Sequence, residues 1–116
     1  MTYQIKTLNN ISQVGLDRLT GDYSVGDDVS APDAILLRSF KMHDMEIPKS
    51  LKAVGRAGAG VNNIPTDKLA SMGIPVFNAP GANANAVKEL VLAGMLMSCR
   101  NLADAWMYNR ELQGDD

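Results

Sequence analysis

The fold is decided by the stretch LKAVGRAGAGVNN at residues 51–63, in which an apolar run opens directly into a glycine-rich loop. Residues 51–54 have the composition of a strand that is buried on both faces of a sheet. Gly55, Gly58 and Gly60 let the following backbone turn sharply and come close to a ligand. A buried strand that ends in such a loop is typical of an open α/β sheet, whose ligands bind beyond the carboxyl ends of its strands.

Strand-like and helix-like segments alternate on both sides of this stretch. The predicted strands are residues 3–8, 23–25, 34–37, 51–54 and 75–78. The predicted helices are residues 11–19, a short helix within 65–73, residues 84–99, and residues 102–112. This alternation predicts an α/β fold with parallel βαβ units and an open, doubly wound sheet of about five strands flanked by helices, followed by an extended helical segment.

The long segment 84–99 is apolar on nearly all sides, and either Asn83 or Asn85 can cap its start. It carries charged residues and falls short of the roughly 20 residues that a bilayer span needs, so we predict a buried helix. Cys99 is expected to be a core thiol, because no histidine or second cysteine lies near it to build a metal site.

Composition and charge narrow the classes of function. A chain of 116 residues suits one domain with a single core, and 46% hydrophobic with 21% charged residues is ordinary for a folded soluble protein. Eleven basic residues against thirteen acidic ones, with no basic stripe, argue against a nucleic-acid partner. The single cysteine and the lack of a signal-peptide pattern at the N-terminus predict a reducing cytoplasm.

The glycine-rich loop departs from the pattern of a dinucleotide-binding loop. Gly58 and Gly60 begin a G-x-G-x-x-G pattern, but Asn63 occupies the place of the third glycine, and the next helix starts only after Pro65. The pattern also needs an acid about 20 residues further on to bind the ribose. Residues 76–83, where that acid would lie, contain none. We therefore predict that this loop does not bind the dinucleotide.

Two interpretations of the loop remain open. Its glycines serve only tight turning and packing, or its consecutive backbone N–H groups form a concavity for an anion. Arg38 and Arg56 each lie at or just past the end of an apolar run, and guanidinium groups suit carboxylates and phosphates. The two arginines favour a small dianionic ligand, although either one alone could form a surface salt bridge with Asp33, Asp44 or Glu46.

Four segments are similar to the D-2-hydroxyacid dehydrogenase family, and most closely to its D-3-phosphoglycerate dehydrogenases. They are residues 37–39, 54–64, 73–80 and 86–90, of which the second is long and specific. The resemblance implies a flavodoxin-like substrate-binding domain at residues 1–100, which faces a Rossmann domain across the active-site cleft. Residues 101–116 would then start the connection to that second domain.

The same resemblance implies roles for individual residues. The substrate carboxylate would be bound by the backbone of Ala57, Gly58, Ala59, Gly60 and Val61. Arg38, beside Ser39, and Arg56 would neutralise the carboxylate or a phosphate. Asn83 and Ala84 would lie near the nicotinamide of NAD and the substrate. Several family members carry a hydroxyl residue near the position of Asn83, so this chain departs from them there.

The parent enzyme implied by this resemblance oxidises 3-phosphoglycerate to 3-phosphohydroxypyruvate with NAD in serine synthesis. The family's catalytic arginine, glutamate and histidine lie in later sequence, so His43 and Glu89 match none of them, and we expect the chain alone to be inactive. The alternative is a free-standing module that binds a small anion for regulation. The expected partners are a small phosphorylated or carboxylate substrate, the missing Rossmann domain and a second copy of the chain, contacted through exposed helices.

Overall fold

A computed structural model describes residues 1–112 and residue 114. The strands are β1 (Tyr3–Leu8), β2 (Tyr23–Gly26), β3 (Ala34–Leu37), β4 (Ala53–Arg56) and β5 (Val76–Asn78). The helices are α1 (Gln13–Leu16), α2 (Thr66–Ser71), α3 (Ala84–Cys99) and α4 (Leu102–Glu111). All strand pairs are parallel, in the order β2-β1-β3-β4-β5. This order is flavodoxin-like, with its reversal between β1 and β3, and it confirms the predicted fold class.

The chain divides into two compact units. The first, Met1–Pro80, contains the sheet with α1 and α2, and the second, Gly81–Asp116, contains α3 and α4. None of the helices within residues 1–112 is long and apolar enough to cross a membrane.

The two faces of the sheet differ in how well they are covered. Parallel register aligns Ile35, Val54 and Val76, so their side chains share one face. The core lies on that face, where the irregular β3–β4 connection and α2 add Met42, Ile47, Leu51 and Leu69. The opposite face carries Leu36, Gly55 and Phe77 in register, and Phe77 is 63% exposed. An apolar surface is thus left next to the carboxyl end of β4.

Two predicted elements, β4 and α1, differ from the structure by more than one residue at an end. Strand β4 starts at Ala53, two residues later than predicted, because Leu51 is a buried core residue whose N–H donates to the Pro48 carbonyl in the preceding turn. Helix α1 comprises four residues instead of the predicted 11–19. It contains Gly15, a poor helix former, and its Ser12 side chain makes no capping hydrogen bond.

The long helix is exposed, which contradicts the prediction of a buried helix and agrees with the exposed helices expected for contact with a second copy. Leu90 of α3 is 74% exposed, Leu96 is 65% exposed, and Cys99 is an exposed thiol rather than a core thiol. A helix that is apolar on all sides needs partners on all sides, and the described part of its compact unit contains one other helix, α4. Asn83 occupies the N-cap position, but its side chain makes no capping hydrogen bond.

Asp33 ties together the amino ends of β1, β3 and β4. One of its carboxylate oxygens accepts a hydrogen bond from the Gln4 N–H at 2.8 Å, and the other lies 2.8 Å from Lys52 Nζ. The hydrogen bond from Gln4, followed by that from Lys52, holds the pKa of Asp33 below its ordinary value. Acid should therefore loosen this end of the sheet.

We expect the free energy of unfolding to fall in acid partly through Asp33. Because its folded-state pKa lies below the unfolded value of 3.8, its contribution is complete above that pH and is lost as the pH falls through the folded-state pKa. Asp33→Asn should flatten this acid-dependent loss in urea unfolding, whereas Asp28→Asn, in an exposed loop, should not. Parallel pH profiles for the wild type and Asp33→Asn would contradict the assignment.

Candidate functional site

The predicted site residues lie at the carboxyl ends of β3 and β4, which are neighbours in the sheet. Leu37, the last residue of β3, pairs with Arg56, the last residue of β4. Arg38 and Ser39 therefore leave the sheet beside Arg56 and the glycine-rich loop that follows it. The topology thus brings together both predicted arginines and the loop at one edge.

Arg56 lies against the loop that follows it. A β-carbon added at Gly58 would come within 2.9 Å of Arg56 Nη1, and one added at Gly60 within 3.5 Å of the same atom. Arg56 Nε donates a hydrogen bond to the Arg38 carbonyl at 3.0 Å. That bond uses one donor and leaves the two terminal nitrogens, which carry four N–H groups, beside the loop. The guanidinium thus lies against the backbone of Gly58, where a side chain would have to displace it, and within ordinary contact distance of Gly60.

Asp33, one of the three possible salt-bridge partners of the arginines, binds a lysine instead. That carboxylate binds Lys52 Nζ at 2.8 Å, and this is the one ion pair found among the described residues. Arg56 is half-buried with no carboxylate partner among them, while Arg38 is exposed. A half-buried guanidinium without a counter-ion is a suitable site for an anionic ligand.

The backbone N–H groups of the loop fall into two groups. The Ala57 N–H donates to the Leu37 carbonyl at 2.8 Å, and the Gly58 N–H donates to the Arg56 carbonyl at 2.9 Å. The next three N–H groups, those of Ala59, Gly60 and Val61, have no hydrogen-bond acceptor within the described part of the chain. Of the five predicted donors, three are therefore available to a ligand and two hold the loop in place.

Contacts with the end of β5 fix the direction of the available donors. The Gly58 carbonyl accepts from the Ala79 N–H at 3.0 Å, and the Ala59 carbonyl accepts from Asn78 Nδ2 at 2.7 Å. The peptide bonds of this loop are trans, and in a trans peptide the N–H points opposite to the carbonyl of the same plane. The N–H groups of Ala59 and Gly60 therefore both point away from β5.

The backbone N–H of Ser39 is already used within the protein. Its N–H donates to Asn9 Oδ1 at 3.0 Å, so only its hydroxyl remains for a ligand. The backbone and the side chain of Arg38 have different surroundings. Its carbonyl accepts hydrogen bonds within the protein, while its side chain is exposed to solvent.

Sequence reasoning missed three asparagines that hold the site together. Asn9, Asn63 and Asn78 were given no role in the site. Asn63 is 9% exposed, and its Nδ2 donates to the carbonyls of Arg38 at 3.2 Å and Phe40 at 2.8 Å. These asparagines could have been identified from their places at or near the carboxyl ends of predicted strands. There the side-chain amide of an asparagine can form hydrogen bonds with the backbone of the loops.

An open apolar cleft of about 230 Å³ adjoins the loop on the less covered face of the sheet. Its walls include Leu36, Gly55 and Phe77, and its rim includes Arg56 and Asn78. The cleft therefore offers an apolar surface beside the start of the loop, on the face of the sheet opposite to the one from which the Arg56 side chain leaves β4.

Four other residues discussed from the sequence have the following surroundings. Asn83 and Ala84 open α3, in the second compact unit. His43 is exposed, and its Nε2 lies 3.0 Å from the Asn62 carbonyl. Glu89 is exposed and accepts a hydrogen bond from Asn85 Nδ2 at 2.8 Å. Among the described residues, no group of three or more His, Cys, Asp or Glu side chains is placed to hold a metal ion.

Comparison with known proteins gives one family and several curated relatives. The catalytic domain of D-isomer specific 2-hydroxyacid dehydrogenases matches residues 4–114. A D-3-phosphoglycerate dehydrogenase of Synechocystis sp. is 36% identical over 104 residues, 87% of this chain and 19% of the relative. A hydroxypyruvate reductase of Thermotoga maritima is 42% identical over 67 residues, 58% of this chain and 22% of the relative.

A third relative is an erythronate-4-phosphate dehydrogenase of Shewanella violacea, 37% identical over 84 residues. That match covers 70% of this chain and 22% of the relative. The chain thus spans between 19% and 22% of the length of these three proteins.

Proposed function

Because this chain belongs to the D-isomer specific 2-hydroxyacid dehydrogenase family, we propose that it forms the substrate-binding half of an NAD-dependent D-2-hydroxyacid oxidoreductase. The substrate that we propose is 3-phosphoglycerate, oxidised to 3-phosphohydroxypyruvate in serine biosynthesis. The observation that carries the proposal is the guanidinium of Arg56 beside a loop with three available N–H groups. The boundaries that we propose are residues 1–100 for the substrate-binding domain and 101–116 for the start of the connection.

The chemistry of the site suits a ligand with two anionic groups. Three N–H groups on successive residues, with a guanidinium beside them, can surround the oxygens of one carboxylate. Arg38 leaves the neighbouring strand and supplies a second positive charge for a phosphate. Two of the three relatives compared above bear the names of phosphorylated substrates. A hydroxyacid that carries a terminal phosphate therefore fits better than one without.

The described residues do not fit the pyrophosphate of NAD. The glycine-rich loop lacks the third glycine, and α2 begins only at Thr66, so no helix N-terminus meets the loop directly. We propose that NAD binds to the rest of the parent protein, with Asn83 and Ala84 near the nicotinamide. NAD bound there would supply the hydride acceptor, while this chain would bind and orient the substrate. The chain alone should therefore not turn over.

A chimaera tests the proposed function. This chain replaces the matching 104 residues of the Synechocystis D-3-phosphoglycerate dehydrogenase, and NADH formation from 3-phosphoglycerate is measured. We expect turnover from the chimaera and none from the chain alone. NADH formation by the isolated chain, or a folded chimaera that binds NAD without turnover, would contradict the proposal. Binding of 3-phosphoglycerate by the chain together with such an inactive chimaera would favour a regulatory anion-binding module.

We also propose a homodimer that forms through α3 and α4. Exposed apolar side chains include Leu90 and Leu96 on α3 and Trp106 on α4, where 60% of Trp106 is exposed. Unpaired apolar surface of this kind promotes association. Sedimentation velocity should show a dimer that Leu96→Lys weakens, while a monomer at high concentration would contradict the proposal.

The single cysteine suits the reducing cytoplasm that we propose for the parent enzyme.

A further inference from the structure

We propose that Asn9 is a positioning residue for the anion site, because its side chain holds the peptide plane on which the Arg56 guanidinium is anchored. This inference rests on the proposed function and names a residue, in the loop after β1, that the function itself does not assign. Asn9 acts through the Arg38–Ser39 peptide and does not itself bind the substrate.

The peptide between Arg38 and Ser39 is held from both of its sides. On the N–H side, the Ser39 N–H donates to Asn9 Oδ1 at 3.0 Å. On the carbonyl side, the Arg38 oxygen accepts from Arg56 Nε at 3.0 Å and from Asn63 Nδ2 at 3.2 Å. Because the peptide is a rigid plane, a rotation that breaks the bond to Asn9 also moves the oxygen that anchors Arg56.

A second backbone hydrogen bond also ends on the Asn9 side chain. The Phe40 N–H also donates to Asn9 Oδ1, at 2.6 Å, so one oxygen fixes two successive residues of the loop. Because both donors share this oxygen, Ser39 and Phe40 cannot turn away from Asn9 without breaking two hydrogen bonds. Asn9 therefore restrains the direction of the Arg38 carbonyl more than a single surface hydrogen bond would.

The backbone of Asn9 explains why an asparagine stands at this position. Its φ is +69°, in the left-handed region, where asparagine is tolerated better than most residues other than glycine. Asparagine therefore combines a permitted backbone with a side-chain oxygen that reaches the Ser39 and Phe40 amides. The residue is exposed, so its contribution to the apolar core is small.

Glycine and aspartate variants of Asn9 separate this role from folding. Asn9→Gly keeps the left-handed backbone and removes the side chain with its accepting oxygen, while Asn9→Asp keeps an acceptor at the same place. Asn10→Gly is the matched control, since the Asn10 side chain makes no hydrogen bond in the described residues. Melting temperatures of the full chain report whether each variant remains folded.

The first readout needs no ligand. Hydrogen exchange of the Arg56 Nε–H should accelerate about tenfold in Asn9→Gly, as expected for the loss of one net hydrogen bond, and should return towards the wild-type rate in Asn9→Asp. Asn10→Gly should leave it unchanged. An unchanged exchange rate in a folded Asn9→Gly variant would overturn the positioning role, whatever the chain binds.

The second readout is the affinity for 3-phosphoglycerate. We expect Asn9→Gly to weaken binding about fivefold, because the guanidinium loses its fixed direction but keeps its charge. Unaltered affinity in Asn9→Gly, with wild-type binding intact, would overturn the positioning role. No binding by the wild type would instead overturn the proposed function, and the exchange rate of the Arg56 Nε–H would still decide the role of Asn9.

Discussion

Arg56→Ala abolishes the binding of 3-phosphoglycerate to the chain, with an expected loss of affinity of about a hundredfold or more. The terminal nitrogens of Arg56 lie beside Gly58 and Gly60, where they can form charge-assisted hydrogen bonds to an anion. Each such bond contributes about 1.5–3 kcal/mol, and the loop N–H groups alone cannot replace the lost positive charge. The measurement is the shift of the Ala59, Gly60 and Val61 amide signals during titration.

Two further variants serve as controls for this effect. Arg18→Ala changes the net charge of the chain by the same amount, but in an exposed segment after α1, and should leave the affinity unchanged. Arg56→Lys keeps the charge and loses both the planar fork and the Nε that donates to the Arg38 carbonyl, so an intermediate loss is expected. Equal affinities for Arg56→Ala and Arg18→Ala would exclude Arg56 from the site.

Leu69→Ala has the largest effect that we expect on stability, a loss of about 3 kcal/mol in the free energy of unfolding. Leu69 is fully buried and is the one buried residue of α2. It joins α2 to the core formed by Val54, Ile64 and Ile74, so its removal leaves a cavity under the β4–β5 connection. The glycine-rich loop, which lies at the start of that connection, should lose order as well.

Urea unfolding followed by the amide signals of Ile35 and Val54 measures this loss within the sheet unit. Trp106 lies in the other compact unit, so tryptophan fluorescence would not report on the sheet. Lys68→Ala, one residue away on the exposed side of α2, is the control and should change the free energy by less than about 0.5 kcal/mol. Equal midpoints for the two variants would show that α2 is not packed as described.

The arrangement of the strands could be predicted from the sequence because each apolar run has a fixed spacing and a clear end. Residues 34–37 form β3 as predicted, and the end of β5 at Asn78 is also confirmed. The start of β4 differs from the prediction because Leu51 packs into the core from a turn that precedes the strand, and not as part of the strand. The burial of α3 was wrong because a helix that is apolar on all sides has no periodicity to show which side is covered.

The candidate site was predictable only in part. The position of Arg56 beside the glycine-rich loop follows from the order of residues along one strand and its loop, which is local information. The hydrogen bonds from the backbone to Asn9 span 30 and 31 residues, and those from Asn63 span 25 and 23 residues. Such long-range contacts leave no periodic pattern, so they become visible only when the sheet brings the strand ends together.

The central claim is that the loop after β4 binds the substrate anion and not the dinucleotide. Residue-resolved titration of the chain with 3-phosphoglycerate and, separately, with NAD tests it most directly. We expect 3-phosphoglycerate to shift the signals of Ala59, Gly60, Val61 and the Arg56 Nε–H, and NAD to leave those signals in place. Unchanged signals at millimolar 3-phosphoglycerate, or a shift of the same loop by NAD, would contradict the account.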